Sequence, residues 1–340
     1  MRPYHTNTPP QERTLKALIT GIAGFAGSHL AEHLLAQGDE VAGIFLPQFG
    51  TANIAPILPR LRLYEGDLGD YPRVLTILEE TRPEAIFHLA AQAAPSLSWE
   101  RPGETLVNNI LSQLHLLEAV VRLKLDPVIL VMGSADEYGL VAPDELPIRE
   151  TNPLRPNSPY AVSKVAQDYL GYQYFLSHRL RVVRLRPFNH IGPRQGEAFV
   201  VASFAKQIAQ AEAAVARAGP SPAGQEPVVR VGNLSTRRDF TDVRDMVRAY
   251  RLAAERCEPG EVYNVGAERA YGIGEVLERL LALSPLKLRV VQDPERLRAA
   301  DSPVLLSDSS KFRARTGWRP EIPIEQTLAD VLHDWRRRVR

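Results

Sequence analysis

The chain has 340 residues, enough for a sizeable core divided between two lobes, and its 44% hydrophobic and 24% charged residues are those of an ordinary soluble globular protein. A formal net charge of +1 gives no electrostatic reason to expect nucleic acid or a membrane surface as a partner, so any anionic ligand must be held by local groups. The single cysteine, Cys257, excludes an intrachain disulfide and a cysteine-rich metal centre; no metal site is expected, and the usage fits a reducing cytoplasm.

Residues 1–13 read as a loose polar tail without the apolar stretch of a signal peptide, and no later run is apolar enough to span a bilayer. From Leu15 onward, "LKALIT", "EVAGIFL", "RLRLYEGD", "AIFHLAA" and "DPVILVMGS" predict strands, with helices around residues 27–37, 72–80 and 107–122 between them. Buried strands alternating with helices imply βαβ units and an α/β fold built on a doubly wound, mostly parallel sheet. A further strand, "LRVVRLRP", precedes a loop-rich half with helices near residues 199–218, 243–256 and 273–283, and "ARAGPSPAGQEP" reads as an exposed loop. The expected plan is a dinucleotide-binding domain over residues 14–186, to which residues 236–265 return, and a smaller lobe from 187–235 and 266–340.

The first strand runs into "TGIAGFAGSHLAEHLL", where Gly21, Gly24 and Gly27 permit a tight turn and close backbone approach to a pyrophosphate. Phe25 and Ala26 belong to the same cofactor-binding turn, ahead of the helix whose positive N-terminal end would face that anion. The end of the second strand, "VAGIFLPQFG", carries neither an acid for a ribose 2′-hydroxyl nor an arginine for a 2′-phosphate; the missing acid favours NADP(H), with NAD(H) open. Asp67, followed by Leu68, could accept a hydrogen bond from an adenine amine. His88 is expected to be structural, and Leu89, Ala90 and Ala91 are small or apolar enough to let backbone approach a cofactor.

"SPYAVSK" sets Tyr160 and Lys164 one helical turn apart behind Pro159, which suits a first helical turn. An ammonium beside a phenol lowers the phenol pKa, making Tyr160 a candidate proton donor near neutral pH. Alone such a pair is an ordinary helix-surface feature. The order of the motifs, T-G-x-x-G-F-x-G, "GDL", "HLAAQA", a serine at a strand end and Y-x-x-x-K, resembles the extended short-chain dehydrogenase/reductase family over nearly the whole chain after the tail. That resemblance implies a Rossmann domain and a catalytic set of Ser134, Tyr160 and Lys164, supported by Asn109 on a helix. Ser134 and Tyr160 would hydrogen-bond a carbonyl as it gains negative charge, Lys164 would hold the nicotinamide ribose, and Tyr160 would deliver the proton.

"RPFNHIGPRQ", "VGNLSTRRDFTDVRD", "GEVYNVG" and "RTGWRP" are similar to nucleotide-sugar enzymes of this family, the first two to the branch acting on GDP-mannose derivatives. The likeness implies contacts to the nucleotide diphosphate and its surroundings from Asn189, Arg194, Asn233, Arg238 and Arg298, and a ribose contact from Asp301. A planar guanidinium suits a diphosphate because it can bond two oxygens at once. This branch includes a GDP-mannose 4,6-dehydratase and a reductase of its 4-keto-6-deoxy product, which yields GDP-rhamnose. Dehydration needs a carboxylate to take the C5 proton. Related dehydratases have Glu two residues before the aromatic of this motif; here Asp136 is one methylene shorter, which favours the reductase. Glu137, expected to point the other way on an extended segment, is taken as an ordinary loop acid. A 4-epimerase is disfavoured by the GDP-sugar-like strings, and a non-catalytic dinucleotide sensor by the presence of both Tyr160 and Lys164. Related enzymes are dimers paired through helices that include the one bearing Tyr160, which implies a homodimer burying Tyr169 and Tyr172; packing within one chain explains those aromatics equally well.

Overall fold

The computed structural model describes residues 14–218, 226–296 and 302–339; the tail and most of the Ala/Gly/Pro-rich loop lie outside them. The first half runs β1 (Lys16–Thr20), α1 (Phe25–Ala36), β2 (Glu40–Phe45), β3 (Arg62–Glu65), α2 (Tyr71–Thr81), β4 (Ala85–His88), α3 (Pro95–Glu100), α4 (Pro102–Arg122), β5 (Val128–Met132), α5 (Pro159–His178) and β6 (Arg181–Pro187). It continues through β7 (Asn189–Ile191), α6 (Val200–Ala218), β8 (Val228–Val231), β9 (Arg237–Asp242), α7 (Val243–Arg256), β10 (Val262–Val265) and β11 (Ala270–Gly272). The last elements are α8 (Ile273–Ala282), β12 (Arg289–Gln292), β13 (Val304–Leu305), α9 (Ser310–Thr316) and α10 (Ile324–Arg338).

Seven parallel strands form the main sheet in the order β10-β6-β5-β4-β1-β2-β3. Side chains alternate along each strand, so Leu18, Ile129 and Val131 enter the core under α2, α4 and α5, while Ile19 and Leu130 enter the core under α1 and α7. With both faces covered, β5 is buried at every position, which is why it reads as an unbroken apolar run. Truncating Leu130 to Ala would cost about 2–5 kcal/mol by leaving a cavity.

A second core joins α6, α8 and α10 through Ile208, Leu280, Val331 and Trp335. Beside it, β9 pairs with β7, β11 and β13 in a four-stranded sheet, and β8 pairs with β12. Later in the chain, α7 packs into the core under α1 and β10 pairs with β6 of the main sheet, whereas β9 lies in the small sheet. No helix among the described residues is long and apolar enough to cross a membrane.

The strand order reverses direction between β1 and β4, which opens a crevice beyond their carboxyl ends, the usual ligand position in an open α/β sheet. Gly21 and Ala90 face each other across it.

Candidate active site

The glycine turn follows from two steric demands. Gly21 adopts φ +72°, and a Cβ there would come within 3.0 Å of the Ala90 backbone across the crevice. Gly27 lies against the same turn, where a Cβ would stand 2.2 Å from the Gly21 carbonyl oxygen. Gly24 begins α1, Phe25 and Ala26 form its first turn, and no acid sits there to oppose an anion at the helix start. This is a cradle that fits the pyrophosphate of a dinucleotide.

On the opposite wall, Thr20 Oγ1 accepts the Ala90 N–H at 3.1 Å and lies 3.0 Å from His88 Nδ1. His88 is buried and desolvation holds its pKa down to about 3, a neutral structural ring. Leu89 and Ala91 are half-buried along this wall. At the far end, Asp67 is exposed and its carboxylate accepts the Gly69 N–H at 2.7 Å, while Leu68 is buried and its carbonyl lies 2.8 Å from His115 Nδ1.

Ser158 caps α5 by accepting the Ala161 N–H at 3.1 Å, with Pro159 in the first turn, and this fixes the register of the next residues. Tyr160 and Lys164 are then one turn apart and both buried, the ammonium 5.8 Å from the phenol ring centre. Lys164 Nζ donates to the Met132 carbonyl at the end of β5 at 2.8 Å. Beneath them, Asn109 Nδ2 donates to Ser163 Oγ at 2.9 Å and to the Gln92 carbonyl at 3.1 Å, and its Oδ1 accepts the Gln92 N–H at 2.7 Å. Ser163 Oγ donates back to the Tyr160 carbonyl at 2.7 Å. Asn109 therefore ties α4, α5 and the loop after β4 into one block.

Ser134 starts the short helical turn 135–138 after β5, its hydroxyl accepting the Asp136 N–H at 3.1 Å. Burial and the nearby Asp136 carboxylate push the Tyr160 phenol up, against a smaller opposite pull from Ser134. This departs from the sequence expectation of an acidified phenol: desolvation dominates, and it also lowers Lys164 to about 8. Tyr160 stands at neutral pH as a protonated donor. Asp136 is half-buried beside it.

Glu137 corrects a second expectation. The segment is a helical turn rather than an extended strand, so Glu137 rotates into the interior with no exposed surface. Its Oε1 accepts the Ser134 N–H at 2.7 Å, and its Oε2 lies 3.0 Å from Arg186 Nε. Arg186 also donates to Asp168 at 2.7 Å and to the Tyr138 hydroxyl at 3.0 Å; Arg184 donates to the other Asp168 oxygen at 2.6 Å. Tyr138 in turn donates to Asn264 Oδ1 on β10 at 2.7 Å. Sequence reasoning missed this cluster. Its signal was available: Arg184 and Arg186 stand two apart on one face of β6, and Asp168 follows Lys164 by one helical turn.

On the second lobe, Asn189 opens β7 with its Oδ1 buried and accepting no hydrogen bond among the described residues, while its neighbour His190 stacks on Phe25 at 5.8 Å between ring centres. Arg238 on β9 donates to the carbonyls of Arg237 (2.9 Å) and Ser302 (2.8 Å). Asn233 is exposed and uses its Oδ1 to accept from the Ser235 N–H and hydroxyl. Arg298 and Asp301 lie outside the described residues; Arg296 and Ser302 on either side of them approach Gly232 and Arg238. Arg194 is turned away from this group. Its guanidinium donates to the Asn53 carbonyl at 3.0 Å and to Glu32 at 2.5 Å, so it braces the loop after β7 against α1 rather than facing Asn189.

The chain is similar to known proteins over nearly its whole length. The family model described as GDP-mannose 4,6 dehydratase matches residues 18–331. The chain is 36% identical to a GDP-6-deoxy-D-mannose reductase of Pseudomonas aeruginosa, covering 96% of this chain and 99% of that one. It is 31% identical to a GDP-mannose 4,6-dehydratase of Yersinia enterocolitica, covering 93% and 92%. Among solved structures, that of RMD from Pseudomonas aeruginosa complexed with NADPH superposes with a TM-score of 0.81 at 34% identity, covering 95% of this chain and 99% of that one. The chain belongs to the extended short-chain dehydrogenase/reductases, in the family of the GDP-mannose 4,6 dehydratase model.

Proposed function

We propose that the protein reduces the 4-keto group of GDP-4-dehydro-6-deoxy-D-mannose to GDP-D-rhamnose, with NADP(H) favoured over NAD(H). The carrying observation is Tyr160 held as a neutral phenol one helical turn from Lys164, whose ammonium is 5.8 Å from its ring, with Ser134 just beyond the end of β5. A reduced nicotinamide bound in that crevice supplies the hydride. Ser134 donates to the ketone oxygen, and Tyr160 holds its proton until negative charge develops on that oxygen, then transfers it. Lys164, fixed by the Met132 carbonyl, would hold the nicotinamide ribose. Asn189, whose buried oxygen accepts no hydrogen bond among the described residues, is proposed to bind the nucleotide sugar together with Arg238, Asn233, Arg298 and Asp301.

Two further points support the reductase over a dehydratase. Asp136 is a methylene shorter than the glutamate required for proton removal at C5, and the reductase relative has the higher identity of the two compared. NADP(H) is supported by the absence of an acid at the end of β2 and by the NADPH in the similar solved structure. The match to the dehydratase family model keeps GDP-mannose 4,6-dehydration as the second reading.

The decisive experiment incubates the protein with GDP-mannose and, separately, with its 4-keto-6-deoxy derivative plus NADPH. NADPH oxidation with the keto sugar alone is expected; a keto sugar formed from GDP-mannose would make it a dehydratase. A homodimer through α4 and α5 is proposed because Val107, Val162, Tyr169 and Leu176 are 44–61% exposed there. Tyr172 belongs to the chain's own packing, under the Arg184 guanidinium and stacked on Phe175.

A further inference from the structure

We infer that Glu137 is a positioning residue for the catalytic centre: it couples the buried Asp168–Arg184–Arg186 cluster to the Ser134 backbone. The inference rests on Ser134, Tyr160 and Lys164 being the catalytic set.

The geometry allows Glu137 little freedom. Oε1 takes the Ser134 N–H, and a Cβ on Gly133 would lie 2.2 Å from that oxygen, so the chain keeps glycine where the carboxyl group passes. Oε2 meets Arg186, whose guanidinium is held by Asp168, by Tyr138 and by the Glu150 carbonyl. Asp168 is held in turn by Arg184, which is itself fixed by the Gly260 carbonyl and lies over Tyr172. A hydrogen bond from the Ser134 backbone to a group this constrained fixes the backbone from which the serine hydroxyl projects, and a misplacement of about 1 Å at a reacting group can cost about 100-fold in rate.

The charged and titratable groups that face Glu137 are Arg186 on β6, Asp168, Tyr160 and Lys164 on α5, and Tyr138 on its own turn. Burial and the Asp168 carboxylate push the Glu137 pKa up, and Arg186 opposes them. For Lys164, burial disfavours the ammonium while Glu137 favours it. His88 feels the Lys164 charge but is held neutral. Glu137 thus acts on the neighbourhood of Tyr160 through its bond to the Ser134 backbone.

The test compares Glu137→Leu, Glu137→Gln and Ser134→Ala in the intact protein. Glu137→Leu is expected to lower kcat about 10- to 100-fold with little change in KM, and Glu137→Gln, which keeps an acceptor for the Ser134 N–H, to recover most of that loss. Recovery by Glu137→Gln and a loss confined to kcat are outcomes that a merely weakened fold would not give. An unchanged kcat in a folded Glu137→Leu, or a Glu137→Gln no faster than Glu137→Leu, would overturn the inference; should Glu137→Leu fail to fold, Glu137→Asp, whose shorter side chain withdraws the acceptor from the Ser134 N–H, takes its place with the same expected loss of kcat. Full turnover by Ser134→Ala would instead break the catalytic set itself, whereas an inactive Ser134→Ala beside unaltered Glu137 variants would break only the positioning role.

Discussion

The floor of the crevice and its substrate-side rim are built on opposite terms. On the floor, Asn109, Ser163, Lys164, Glu137, Arg186 and Asp168 are buried and joined by short hydrogen bonds from four strands and helices. On the rim, Asn233 is exposed and folded onto its own turn, Arg238 bonds the backbone carbonyls of Arg237 and Ser302, and Asn189 has a buried oxygen that accepts no hydrogen bond among the described residues. The contrast separates two tasks. Chemistry is fixed by a pre-paid network, while recognition is left to groups that can rearrange onto a ligand.

Substitutions can break that contrast in order of size. Tyr160→Phe should reduce kcat by about 10²–10⁴-fold while NADPH still binds, measured by steady-state turnover and fluorescence titration; near-normal turnover would remove the floor's chemical role. Asp168→Ala leaves two guanidinium groups buried without their shared carboxylate and should destabilise the fold by about 3–5 kcal/mol in urea unfolding.

Acid should act next. His29, held down to about 4 chiefly by burial, and His88, held to about 3, are neutral when folded but protonate near 6.5 when unfolded. The unfolded chain therefore binds more protons below that value, and stability should fall from about pH 6.5 toward 4, by up to about 1.4 kcal/mol per unit for each ring. His88→Asn should flatten that slope in urea titrations at a series of pH values. The smallest change is expected on the rim: Arg238→Ala should raise KM for the GDP-sugar about tenfold and leave kcat within about twofold. A large kcat effect there would show that rim and floor are one unit.

The parallel sheet was legible because buried strands such as β1, β4 and β5 are continuous apolar runs, and the glycine turn and Tyr160–Lys164 spacing are local patterns with one steric meaning. Long-range commitments were not. Arg194 looked like a diphosphate ligand beside Asn189, but its backbone takes φ +72° and sends the guanidinium to Glu32 on α1. Glu137 looked like a solvent acid because the run after Ser134 was taken as extended; the helical turn sends Glu137 into the interior while Asp136 stays half-buried beside Tyr160. The phenol pKa failed for a different reason, since spacing reports the lysine neighbour and says nothing of the burial that dominates.

The chain leaves the main sheet at Pro187, builds much of the second lobe, and only then adds β10 beside β6. That late strand brings Asn264, which accepts from Tyr138 and donates to the Ile148 carbonyl. A fragment ending at residue 187 would thus carry an unzipped outer edge and a half-finished charged cluster. The two lobes are one folding unit by connectivity, and grafting either onto a foreign partner would forfeit the catalytic floor.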